Sequence, residues 1–295
     1  MKSLSAGWVR IRERIRAAGS LALFLDYDGT LVPMASHPSQ ALLPVVARRL
    51  LRDLSREKGI WVSVVSGRAL REVCRLIGLP EICCVGNHGL EFRGPNLRHV
   101  NPKALASRPV LSRLARQLRE AVRPIRGAWV EDKGLTLSVH SRQVAPPDRL
   151  GVRNAFHEVV RPYCEKGQVR VTAGKEVFEV RPPVRWTKGT MVAWLLARRM
   201  ALAGTQPVLA VYVGDDLTDE DAFRTLGKRG ITVGVGSANP LSRAQYRVES
   251  PAAVSLLLKR ILREWRRKGS DAERSADRAG RGDQGRIRRN AARRA

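Results

Sequence analysis

LALFLDYDGTLVP, residues 21–33, runs from five consecutive apolar side chains straight into two carboxylates, Asp26 and Asp28, with Gly29 and Thr30 behind them. An apolar run without polar alternation is the pattern of a strand buried on both faces. In an open sheet of parallel strands, ligands collect just beyond the carboxyl ends of those strands. The acidic pair therefore sits where chemistry is expected. The same design recurs along the chain. IWVSVVSGR (60–68) is a second apolar strand ending in Ser66, Gly67 and Arg68, and residues 82–85 form a third that leads into GNHGLEF (86–92). VLAVYVGDDLTDEDAF (208–223) gives a fourth, tipped by Gly214, Asp215 and Asp216. Helical patterns opened by Pro44 and covering 70–76 separate the first three, so the strands are read as parallel with right-handed crossovers.

The rest of the composition narrows the class. With 295 residues and 43% apolar side chains, the chain has the length for one large or two moderate domains with a proper core. No stretch is long and apolar enough to cross a bilayer. The N-terminus, with Arg10, Arg12, Arg14 and Arg16, lacks a secretory pattern, so a cytoplasmic protein is expected. Cys74, Cys83, Cys84 and Cys164 form no metal-binding spacing and are read as reduced thiols. The net charge of +27 lies partly in an Arg-, Ala-, Gly- and Asp-rich segment beyond residue 263, which without apolar periodicity is expected to be disordered. No aromatic interleaving or nucleic-acid module accompanies that charge, so it is read as solvated rather than as a nucleic-acid site.

From about residue 101 the pattern changes to helices (around 110–122 and 150–160) alternating with short strands of period two (128–131, 135–139, 169–172 and 177–180). This predicts an α+β domain inserted into the larger one. The expected organisation is an N-terminal segment (1–19), the first part of the core (20–100), an α+β cap (101–184), the second part of the core (185–262) and a basic tail (263–295). The fold class is thus α/β, a Rossmann-like parallel-sheet core with an inserted cap. Glu131, Lys133, Arg142, Lys175, Glu179 and Arg181 fall at strand ends and turns of the insert, where as a set facing a cleft they suit a many-hydroxyl ligand such as a sugar.

Thr187 is placed to cap the helix that follows the insert, and Lys188 lies in its first turn, a poor place for a cation unless an anion is bound beside it. Thr218 and Asp221 resemble a capping box for the last acidic segment. Asp215, Asp216 and Asp219 crowd one strand end, which like-charge repulsion disfavours without a cation. If the first and fourth strands are neighbours, Asp26 and Asp215, with the backbone near Asp28 and with Asp216, converge on one hard ion, for which Mg2+ suits best. Asp26 is then the nucleophile toward phosphorus, Asp28 the general acid and base, and Ser66 and Lys188 the holders of the phosphoryl oxygens.

DYDGT, SGR, Lys188 with Gly189, and GDDLTDE together resemble the four motifs of the haloacid dehalogenase-like phosphatases, with an insert like the second type of cap. GNHGLE, VEDKGLTLSVH and GKEVFEVRP resemble the trehalose-6-phosphate phosphatases within that superfamily, over roughly residues 20–260. The resemblance implies Mg2+-dependent hydrolysis of trehalose 6-phosphate; no synthase-like segment is read in the chain, so a stand-alone phosphatase is expected, and a monomer. It also implies substrate contacts from Glu131, Lys133, Arg142, Lys175 and Glu179 in the cap and from Arg68, Asn87 and His88 in the core. Another sugar-phosphate phosphatase, such as one for sucrose 6-phosphate, is the nearest alternative. A phosphomutase and a nucleic-acid-binding protein with a degenerate core stand further off.

Overall fold

The computed structural model describes residues 1–292 except Ser36 and Lys175, with side chains to Asp271. The chain opens with a two-residue strand, β1 (Lys2–Ser3), and helix α1 (Leu4–Ala17), then enters β2 (Ser20–Asp26). Helix α2 (Val45–Arg56), β3 (Ile60–Val65), α3 (Leu70–Ile77) and β4 (Cys83–Gly86) follow, and then a hairpin of β5 (Glu91–Gly94) and β6 (Leu97–Val100). The insert carries α4 (Pro102–Ala106), α5 (Arg108–Val122), β7 (Trp129–Asp132), β8 (Leu137–His140), α6 (Arg149–Glu165), β9 (Arg170–Gly174) and β10 (Val177–Arg181). Helix α7 (Lys188–Ala203), β11 (Val208–Gly214), α8 (Glu220–Leu226), β12 (Ile231–Val235), β13 (Tyr246–Val248) and α9 (Pro251–Ala292) complete it.

Nine strands form the main sheet in the order β1-β13-β12-β11-β2-β3-β4-β5-β6. It is parallel from β1 to β4, and only the β5–β6 hairpin is antiparallel. β2 lies in its middle with all seven residues buried, as its unbroken apolar run requires. Alternate side chains feed two cores. Leu21, Leu23 and Leu25 pack with Ile11 and Ile15 of α1, Leu51 and Leu54 of α2, and Leu258 and Ile261 of α9. Ala22 and Phe24 pack on the opposite face with Met191, Val192 and Leu195 of α7 and Phe223 of α8. The result is three layers, with every parallel strand ending at the same edge.

The amphipathic N-terminal helix thereby finds its place: its apolar stripe closes one face of the sheet, and the Arg260 guanidinium lies 3.9 Å from the centre of the Trp8 ring. The tail expected to be disordered from residue 263 is corrected for its first turns. Residues 263–271 continue α9, and Trp265 is buried, donating from Nε1 to Lys58 O at 3.1 Å. One aromatic at helical spacing from Leu262 is enough to seat these turns, despite the charge around it.

β7, β8, β10 and β9 make a separate antiparallel sheet. Its alternation sorts the side chains: Val130, Leu137, Val139, Phe178 and Val180 pack against α5 and α6. Their neighbours Trp129, Glu131, Ser138, His140, Glu179 and Arg181 therefore occupy the other face. That face is the one bonded to the main sheet's body. A small cluster of Leu90, Ala104 and Leu135, with Val184 and Trp186 against it, fills the place where the chain passes between the two.

Candidate active site

Asp26 is the last residue of β2, and β11 pairs parallel with β2 through Val213 opposite Leu25. Asp215 therefore emerges beside Asp26, as adjacency of the first and fourth apolar strands requires. Carboxylate oxygens of Asp26, Asp215 and Asp219 lie within 4.8 Å of one another. Lys188, at the start of α7 and 3% exposed, donates to Asp26 Oδ1 at 2.6 Å and to Asp219 Oδ1 at 2.7 Å. The lysine that sits badly for its own helix dipole is thus held by two carboxylates. Thr187 caps α7, accepting at its side chain from Thr190 N.

Electrostatics follow from this crowding. Burial lifts the Asp26 pKa well above the usual carboxylate range, with Asp219 and Asp215 adding to it against the opposing pull of Lys188. Burial and Asp219 raise Asp215 to about 6, although Thr30 Oγ1 donates to it at 3.0 Å. Lys188 is raised because Asp219 and Asp26 outweigh its burial. Three carboxylates against one ammonium leave a net anionic pocket of hard oxygens, which fits a divalent cation of the magnesium type.

The Asp215 shift has a testable sign. Unfolded, the group titrates near 3.8, and folded at about 6, so without metal its ionisation disfavours the fold progressively between those values and fully above them. Asp215→Asn should therefore raise the melting temperature in excess chelator at about pH 7.5 more than at about pH 4. Thermal unfolding at the two pH values reads this directly, and an equal effect at both would refute it.

Asp216, expected among the ligands, stands outside the carboxylate cluster: its carboxylate accepts from Leu217 N at 2.6 Å, and Asp219 is the cluster's third member. The same residues replace the expected Thr218–Asp221 box: Asp216 and Asp219 form a reciprocal cap. Both arrangements have one cause, because the turn after β11 is a 3-10 turn that brings the third residue after Asp216 back toward the strand end. Asp219 is fully buried and also accepts from Tyr212 Oη at 2.6 Å. Its partner Tyr212 carried no signal in the sequence beyond being a polar atom inside an apolar strand.

Asp28 stands apart from the three clustered carboxylates. Arg68 grips it with Nε on Oδ2 and Nη2 on Oδ1, both 2.8 Å, and reaches Glu72 Oε1 and Pro38 O as well. Arg68, expected on substrate, is thus bonded within the core. Ser66 is buried one residue past β3 and accepts from Arg68 N at 3.2 Å. Gly29 shows why this turn needs glycine: its φ is +81°, and a Cβ there would overlap the Asp215 carboxylate.

The insert's residues gather over the same edge. His88 Nε2 lies 3.0 Å from Glu179 Oε1, and Lys133 Nζ is 3.5 Å from that oxygen. Burial pushes Glu179 upward, but His88, Lys133 and Arg181 outweigh it and hold it well below the usual range. Burial lowers His88. Asn87, expected on substrate, instead joins the two bodies: it donates to Glu91 Oε1 and Lys133 O and accepts from Thr136 Oγ1. Arg142 donates to Ala35 O at 2.7 Å and pairs with Glu176 at 3.3 Å. Glu131 meets His140 at 2.9 Å. Lys175 lies outside the described residues.

This arrangement has counterparts. The model of the Trehalose-phosphatase family matches residues 24–252. A trehalose-phosphate phosphatase of Mycobacterium tuberculosis is 37% identical over 249 residues, covering 83% of this chain and 62% of the relative. The chain thus spans under two thirds of that relative's length. Among solved structures, a trehalose-6-phosphate phosphatase of Aspergillus fumigatus superposes with a TM-score of 0.59 at 25% identity, covering 86% of this chain and 97% of that one. The C-terminal domain of the Candida albicans trehalose-6-phosphate phosphatase gives 0.72 at 22% identity over 88% of this chain and 97% of the other, a likeness of fold. With its acidic cluster at the edge of a parallel sheet and the family model matched over most of its length, the chain belongs to the trehalose-phosphatase family.

Proposed function

We propose that the protein hydrolyses trehalose 6-phosphate to trehalose and phosphate through an aspartyl-phosphate on Asp26. One observation carries it: Asp26 at the end of β2 and Asp215 and Asp219 just beyond the end of β11 meet with Lys188 in one pocket below a polar sheet face. Asp26 attacks phosphorus and the bond to the sugar oxygen breaks, that oxygen taking a proton from Asp28. Asp28 then takes a proton from the water that cleaves the aspartyl-phosphate, freeing phosphate and Asp26. Arg68 donates one bond to each oxygen of Asp28, leaving each a further lone pair on which the proton can be carried. Ser66 and Lys188 hold the phosphoryl oxygens. Mg2+, held by Asp26, Asp215 and Asp219, would supply charge neutralisation between the nucleophile and the phosphate. Glu131, Lys133, Lys175 and Glu179 in the cap, with His88 below, contact the sugars, while Asn87 and Arg142 hold the cap in place around them. The enzyme is assigned to the cytoplasm as a monomer without a nucleic-acid partner. Four free cysteines suit a reducing compartment.

Phosphate release across a panel tests this. With Mg2+, kcat/KM for trehalose 6-phosphate should exceed that for sucrose 6-phosphate and glucose 6-phosphate by about a hundredfold or more, because the wrong sugar leaves buried polar groups unpaired. Chelator should abolish the rate. Equal turnover of all three esters, or a preference for sucrose 6-phosphate, would overturn the substrate assignment.

A further inference from the structure

Three aromatic rings near the sugar face have no part in the chemistry above. Trp129 begins β7 and His140 ends β8, and antiparallel pairing sets the two residues opposite one another. Their rings stack with centroids 4.0 Å apart and planes 11° from parallel. A second imidazole, His37, lies 5.2 Å from Trp129 at 28°. His37 belongs to the main body, where it precedes the short turn Pro38–Gln40. The indole is thus shared between one imidazole of its own sheet and one of the other body. Close by, Arg142 Nη1, in the loop after β8, bonds Ala35 O, so Ala35 and His37 each touch the insert.

The stack bears on a carboxylate. Glu131 follows Trp129 by two residues on the same face of β7, and its Oε2 is 2.9 Å from His140 Nε2. Its Oε1 makes no hydrogen bond among the described residues and stays available to accept from a hydroxyl. Burial pushes the Glu131 pKa upward, but His140 and Lys133 outweigh it and hold it below the usual value, favouring the carboxylate, whose oxygens only accept. The His140 ring cannot turn away from Glu131 without losing its stack on Trp129.

We propose that His140 is a positioning residue that aims Glu131 at the sugar of the substrate, and that the His37–Trp129 contact makes this aim depend on the two bodies being apposed. It rests on the assignment of Glu131 as a sugar contact in the function proposed above. One oxygen of Glu131 is anchored and the other is directed, and the anchor is stiffest when His37 completes the stack. A small phosphate ester without a second sugar has no need of Glu131 and is indifferent to the device.

The test compares His140→Leu, His140→Gln and His37→Leu with the parent on trehalose 6-phosphate and on p-nitrophenyl phosphate, all with Mg2+. His140→Leu should raise KM for trehalose 6-phosphate about tenfold or more, with kcat changed far less and p-nitrophenyl phosphate turnover unaltered. His140→Gln, which keeps a donor for Glu131, should recover most of that loss. His37→Leu should give a smaller KM rise of the same pattern. Equal losses on both esters would mark a merely structural role and overturn the proposal, as would an unchanged KM in His140→Leu. A parent that cleaves p-nitrophenyl phosphate but ignores trehalose 6-phosphate refutes the substrate assignment instead, so the two failures are told apart.

Discussion

Asp26→Asn is expected to lower phosphate release at saturating substrate by about four orders of magnitude or more, the scale seen when an attacking group is removed from a site that otherwise still binds. The variant should nevertheless fold. Asp26 is buried with Asp215 and Asp219 around it, and its charge is disfavoured there even with Lys188 2.6 Å away. A neutral side chain of the same shape relieves that repulsion, so the melting temperature without metal should equal or exceed the parent's. Phosphate release and thermal unfolding on one preparation check both halves. Residual turnover above about a tenth of the parent's would remove Asp26 from the role of nucleophile.

Lys188→Met should have the opposite effect on stability. The ammonium is the one cation in direct contact with Asp26 and Asp219 among the described residues, and the site is buried. Removing it leaves three carboxylates facing one another. Loss of one partner from a buried ion pair costs about 3 kcal/mol or more, on the order of 10 °C in melting temperature for a chain of this size. Turnover should fall by about a thousandfold, since a fixed positive charge at the phosphoryl oxygens is also lost. Added Mg2+ should restore more stability to the variant than to the parent, because a second cation matters most where the first is missing. Melting curves with chelator and with Mg2+ decide it. A metal-free variant as stable as the parent would show that the carboxylates shed their charge by protonation instead.

The two substitutions separate what one cluster does. Asp26 and Lys188 are bonded to each other, so a loss of activity in either is ambiguous alone. Their opposed effects on the metal-free fold are not. Both Asp26 and Lys188 stand at element ends that face the same edge of the sheet. A single local change therefore reaches the chemistry and the charge balance together.

Much of this was legible in the chain itself. The run at residues 21–25 and its echoes at 60–65 and 208–213 foretell parallel strands buried on both faces, and two carboxylates directly after such a strand foretell a site at its end. Period-two alternation in the insert separates the residues that pack on helices from Glu131 and Glu179 on the other face. Two further elements went unread. The hairpin at residues 91–100 and the short strands around residues 231–248 are too short and too mixed to show a period, and only pairing with an existing sheet makes them strands.

What the sequence determined by itself is the set of acidic and basic groups and the strand ends that carry them, because hydrophobic periodicity is a local property and survives without tertiary contacts. What only the tertiary structure decided is which group faces which. Asp219 rather than Asp216 joins Asp26, Arg68 holds Asp28, and Asn87 and Arg142 bind the protein's own backbone. Those choices turn on a single turn of 3-10 helix and on side-chain reach across two bodies, distances of a few ångström between residues far apart in the chain, for which spacing along the sequence carries no information.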